Sequence, residues 1–142
     1  MTEGKLRLEI VTPYGLVFGS DVEEVTAAGS EGEFGVLPGH SSFITTLKIG
    51  MLACKEGNAQ KFFFVNWGYA EVGHDRVLVL ADSAEESKGI DIERAKAAKA
   101  RAEGRLQKDG EVDFRRAETS LERAVMRMQV AEKRSGKIEG AP

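Results

Sequence analysis

From Lys5 to Thr12 the chain alternates, with Leu6, Leu8 and Ile10 interleaved with Lys5, Arg7 and Glu9. A two-residue period puts one row of side chains in a core and the other in water, which predicts a half-buried β-strand. Short apolar runs follow at 16–18, 22–27, 43–47, 51–55, 61–66, 69–72 and 76–81, separated by Gly, Pro, Asn and Asp. Eight closely spaced strands with no helical pattern between them predict an all-β sandwich or flattened barrel. Phe62-Phe63-Phe64-Val65 carries bulk on both faces, as a strand covered on both sides would.

After Ser83 the period changes. Asp91 is an N-cap candidate, and from Ile92 to Lys108 proline is absent, glycine rare and alanine abundant, which predicts a helix over about 91–108. Ala95, Ala98, Ala102 and Leu106 recur at spacings of three and four, a narrow stripe that admits a second helix closely. Lys108-Asp109-Gly110-Glu111 reads as a turn. Phe114, Ala117, Leu121, Ala124, Met128 and Ala131 then predict a second helix over about 113–134. The two should form an antiparallel hairpin. Residues 135–142 show no periodicity and are expected to be disordered, so the expected division is a β domain over 1–86 and a helical unit over 87–142. So thin an apolar stripe, at ~25 cal/mol per Å², cannot offset the ordering of some forty residues. The hairpin must lean on the β domain or on a partner, and near balance between the two would make it a switch.

Charge separates the same two parts. Residues 1–89 carry 7 Lys/Arg against 13 Asp/Glu, and residues 90–134 carry 12 against 9. The single cysteine, Cys54, has no internal disulfide partner and lies in an apolar run, the setting of a buried thiol in a reducing compartment. No basic start leads into an apolar segment, and no apolar run reaches the ~18–20 residues that cross a bilayer. Membrane association is therefore expected only through a protein partner, without direct insertion.

The densest local signal is the stretch from Gly29 to Phe43, where four glycines and Pro38 surround Glu31, Glu33 and His40. Glycine and proline at this density fix a backbone shape, and a shaped surface loop is expected. Catalysis is not indicated: the chain has no phosphate-binding Gly-rich loop ending in Gly-Lys-Ser/Thr, no His-Glu-x-x-His, no Cys pairs and no Gly-x-Ser-x-Gly elbow. His40 and His74 alone do not suggest a metal site. Glu31 and Glu33 would repel an anion, so the loop is either turn chemistry with solvated acids or a docking surface presenting Glu33 and His40. In the helical part Arg94 and Arg101 are seven apart, and Arg123 and Arg127 four apart, each pair on one helical face. Folding about Gly110 brings all four to one height. This is either a solvated basic face or a set of fork-shaped donors suited to a polyphosphate. Nucleic acid is not the expected partner, given a net charge of −3 and an acidic β domain.

The run Ser30-Glu31-Gly32-Glu33-Phe34-Gly35-Val36-Leu37-Pro38-Gly39-His40, followed by Leu47-Lys48-Ile49-Gly50, closely resembles the signature of the epsilon subunits of bacterial F-type ATP synthases. The resemblance extends over nearly the whole chain, through Leu8-Glu9-Ile10-Val11-Thr12-Pro13, Val79-Leu80-Ala81-Asp82-Ser83-Ala84-Glu85, Ile90-Asp91-Ile92-Glu93-Arg94-Ala95 and Val112-Asp113-Phe114-Arg115-Arg116-Ala117. It implies a non-catalytic central-stalk subunit at the cytoplasmic face of the bacterial inner membrane. Such a subunit couples the gamma subunit to the c subunits of the membrane rotor ring. Glu31, Glu33 and His40 are then implied at the rotor-ring contact. The hairpin is implied to lie folded on the sandwich, or to extend along gamma toward the alpha/beta catalytic head and hinder ATP hydrolysis. ATP is implied as a regulatory ligand rather than a required cofactor, held at Glu85, Ile90, Asp91, Arg94, Ala95, Arg101, Arg123 and Arg127. A free-standing ATP-sensing binding module is the competing expectation.

Overall fold

A computed structural model describes residues 4–107, 111–133 and 136–137. The strands are β1 (Leu6–Thr12), β2 (Gly15–Val22), β3 (Glu24–Gly29), β4 (Gly32–Val36), β5 (Phe43–Leu47), β6 (Gly50–Glu56), β7 (Ala59–Val72) and β8 (Arg76–Glu86). A 3-10 turn at Ser87–Gly89 leads to helices α1 (Ile92–Leu106) and α2 (Glu111–Glu132), and a short β9 (Gly136–Lys137) follows. The strands run in the order β2-β1-β8-β7-β5-β3-β4, with β6 pairing both β3 and β7. The β1–β8 pair is parallel. Leu6, Leu8 and Ile10 are all fully buried, as their alternation predicts, and join Val22, Val25, Val36, Leu52, Phe63, Val77 and Val79 in the sandwich core.

Three elements differ from the expectation. Residues 61–66 and 69–72 are one strand, because β7 runs unbroken for 14 residues. Its first half pairs with β6 and its second half with β5, so it carries the chain from one layer of the sandwich to the other. The bend falls at Trp67 and Gly68, with φ of 50° and 150°. Gly68 is obligatory there, since a Cβ would lie 2.1 Å from the Leu80 carbonyl oxygen. The expected loop 29–43 contains a strand, β4, which returns along β3 from Gly29↔Gly32 to Val25↔Val36 around the two-residue turn Ser30-Glu31. Finally, Gly136 and Lys137, placed in a disordered tail by the sequence, pair antiparallel with Gln60 and Ala59 of β7. They take the edge left free where the β8 pairing ends at Phe63↔Glu86. The rest of that tail and the turn residues 108–110 lie outside the described residues.

The two faces of Phe62–Val65 diverge as the sequence requires. Phe63 fills the sandwich core, 5.0 Å from the Phe18 ring centroid. Phe64 faces the other way, into a second cluster with Ile49, Ile90 and Val130, flanked by Met51, Phe62, Met126 and Ala131. This cluster docks the C-terminal part of α2 on the sandwich. Between the helices Ala95, Ala102, Ala117 and Ala124 are buried, as the alanine stripe predicts, whereas Phe114 is half-exposed.

Cys54 is buried inside β6. Burial, and next the Glu56 carboxylate, push its thiol up from 9.0 to about 11. The folded state keeps this proton where the unfolded chain loses it, so the contribution to stability is complete below pH 9 and falls as pH rises toward 11. Thermal unfolding followed across this range should show that loss, and Cys54→Ala should flatten it.

Candidate functional site

The end of β8, the turn that follows it, and both helices enclose an open cleft of about 570 Å³. Its lining includes Glu85, Ile90, Asp91, Arg94, Ala95, Arg101 and Arg127. Each position follows from local structure. Asp91 starts α1 by accepting a 3.2 Å hydrogen bond from the backbone N–H of Arg94, and this cap fixes the phase at which Arg94 and Arg101 leave the helix. Arg127 comes from α2, one turn before the buried Val130. Its Nε donates to Glu85 Oε1 at 3.3 Å, and its guanidinium carbon stands 4.5 Å from the Phe64 ring centroid. Three guanidinium groups therefore meet two carboxylates, one of them held by Arg127 and the other committed to a helix cap. A volume of this size lies within the ~300–1,000 Å³ usual for ligand clefts. Of the eight residues that the resemblance points to, seven share this cleft. Arg123 does not line it and donates instead to Ser120 Oγ, one turn back on α2, at 3.5 Å. Phe64 was not singled out by the sequence, since its role beneath Arg127 depends on α2 packing against β7.

The acidic loop residues are elsewhere. Glu31 sits in the β3–β4 turn and Glu33 on β4, both exposed. His40 is half-buried, its ring 5.3 Å from that of Phe43. Its Nδ1 lies 2.7 Å from the Ser41 carbonyl oxygen and donates to it. Among the described residues no group of three or more His, Cys, Asp or Glu is arranged to hold a metal.

A further surface arises only from strand register. On the outer face of the sandwich, register aligns Thr46, Tyr69, Leu80, Val11 and Leu16 across β5, β7, β8, β1 and β2. Leu16 is 60% exposed, Tyr69 48%, and Ile44, in the next row, 72%. A contiguous apolar strip on a sheet face is the kind of surface that another chain covers.

The ATP synthase delta/epsilon chain β-sandwich domain matches residues 5–87, and the delta/epsilon long α-helix domain matches residues 88–132. The chain belongs to the ATP synthase delta/epsilon family. Among similar proteins, the ATP synthase epsilon chain of Geotalea uraniireducens is 53% identical over 135 residues, covering 94% of this chain and 98% of the relative. That of Thermodesulfovibrio yellowstonii is 55% identical over 113 residues, covering 78% and 81%. A chain in a cryo-EM structure of the Euglena gracilis mitochondrial ATP synthase superposes with a TM-score of 0.80 at 23% identity, over 94% of this chain and 84% of that one. At that identity the likeness concerns the fold. As an epsilon-type chain the protein is a non-catalytic subunit of the ATP synthase central stalk. Its partners are subunits of that complex. No helix among the described residues is long and apolar enough to cross a membrane.

Proposed function

We propose that this epsilon-type chain couples the gamma subunit to the c subunits of the rotor ring, at the cytoplasmic face of the bacterial inner membrane. We further propose that its hairpin is an ATP-held brake on hydrolysis. The apolar strip through Val11, Tyr69 and Leu80 is the surface for gamma, and Glu31, Glu33 and His40 form the contact with the ring. With the hairpin folded, ATP sits in the cleft with its phosphates at Arg94, Arg101 and Arg127 and its base near Ile90, Asp91 and Ala95. Glu85, which accepts from Arg127, stands at the same site. When ATP leaves, the hairpin is free to extend along gamma toward the alpha/beta head.

The observation that carries the nucleotide part is the convergence of three arginines from two helices on one cleft, with Arg127 tethered both to Glu85 and to the Phe64 ring. The cleft exists only while α2 is docked, so a ligand that binds it stabilises the folded hairpin by mass action. Calorimetric titration of the whole chain with ATP tests this. Saturable heat is expected at or below millimolar nucleotide, with Arg94→Ala and Arg127→Ala each weakening binding by about 10-fold or more, the scale of a lost charge-assisted hydrogen bond. Arg123 reaches the cleft only by releasing Ser120, so Arg123→Ala is expected to weaken binding less than Arg127→Ala. Absence of heat at millimolar ATP, or native affinity retained in both cleft variants, contradicts the assignment.

A further inference from the structure

Trp67 occupies a position that suits glycine. Among the described residues it is the one non-glycine residue with positive φ, at 50°, a region that large side chains avoid. Gly68 is pressed against the Leu80 carbonyl, where a Cβ would meet the oxygen at 2.1 Å. On the other side, Asn66 Oδ1 is buried with no hydrogen-bond partner among the described residues. Unfavourable local terms therefore collect at Asn66 and Trp67, beside a glycine that the bend requires, and the indole does not recover them by burial, since Trp67 remains 45% exposed. Strain retained at a half-exposed aromatic points to a role outside the chain's own core.

The position says where that role lies. Along β7, residues 67, 69 and 71 are exposed while 70 and 72 are buried, so Trp67 is in phase with Tyr69 on the outer face. It thereby extends the apolar strip formed by Tyr69, Leu80, Val11 and Leu16. By register, Trp67 lies between Lys48 and Asp82, both exposed, because Gly68 pairs with Leu47 on one side and Ala81 on the other. A large aromatic continuous with an apolar strip and rimmed by opposite charges has the composition of an interface hot spot.

We propose that Trp67 is the anchor residue through which the outer sheet face grips the gamma subunit, its indole entering an apolar pocket on that partner. The proposal rests on the reading of this face as the gamma surface, and the bend at 66–68 is what aims the ring outward.

The test uses the full chain as Trp67→Gly, with Ile44→Glu as a separate probe of the face, and measures thermal unfolding and affinity for purified gamma. Trp67→Gly is expected to unfold at the native temperature or above it, because relief at a left-handed position offsets the extra freedom glycine adds to the unfolded chain. It is expected to bind gamma about 30-fold more weakly or worse, the scale of a hot-spot truncation. Trp67 is the single tryptophan of this chain, so after subtraction of the emission of gamma its fluorescence should shift to the blue and lose iodide quenching on complex formation. Clearly earlier unfolding of Trp67→Gly would mean that the ring packs at home, and would overturn the proposal. So would unchanged affinity for gamma. If Ile44→Glu weakens binding and Trp67→Gly does not, the anchor is wrong and the face is right; if neither weakens it, the face itself is wrong.

Discussion

Val130→Asn is expected to release the helical hairpin from the sandwich while leaving the sandwich folded. Val130 is fully buried against Ile49, Phe64 and Ile90, with Met51, Phe62, Met126 and Ala131 around it, and these neighbours offer an amide no side-chain partner. Losing the buried valine removes about 1.5–3 kcal/mol of transfer free energy. Leaving the amide unsatisfied costs about 1–3 kcal/mol more. Together they shift the docking equilibrium by two decades or more, since each 1.4 kcal/mol is about tenfold. An asparagine is chosen because an aspartate three residues from Arg127 would find a cation. The sandwich core around Phe63 is a separate cluster and does not share this contact. Amide exchange checks both halves of the expectation. Protection around Met126–Ala131 should collapse, while protection in β1 and β8 stays at its native level. Retained protection in α2 would mean that the hairpin is held by something other than this cluster.

This small docking surface could not be read from the sequence, although much around it could. The alternation of Leu6, Leu8 and Ile10, the alanine spacing in both helices and the Asp91 cap are local signals, and local signals survive in a single chain. Asn66-Trp67-Gly68 misled because it has the composition of a turn; the continuity of β7 depends on β5 and β8 pairing across the bend. The glycines from 29 to 39 hid β4 for a similar reason, since a strand with few bulky residues looks like a loop until β3 supplies its ladder. Phe114 continues the apolar stripe in sequence, yet it lies twelve residues before Met126, about 18 Å along α2 from the sandwich contact. The seven-residue spacing of Arg94 and Arg101 put both on one face of α1, but it could not choose between a solvated face and a cleft. Arg127 joins them through the packing of Val130, and Glu85 through the end of β8. Arg123, equally well spaced, is turned toward Ser120 instead, a side-chain choice that spacing does not determine.

The second large effect concerns the catalytic head. If the extended hairpin hinders hydrolysis and ATP binds only the folded form, nucleotide at 100 times its dissociation constant favours the folded hairpin by a further factor of about 100. Inhibition should then be deepest when ATP is scarce and fade as it accumulates. A chain that ends at residue 87 keeps β1–β8 and lacks both helices, so it should dock like the full chain and show no such dependence. The decisive measurement is ATP hydrolysis by the reconstituted alpha/beta/gamma head carrying either chain, across ATP concentrations that span the calorimetric dissociation constant. Hydrolysis is expected to be faster with the truncated chain at low ATP, with the two rates converging at high ATP. Equal rates at every ATP concentration would contradict it.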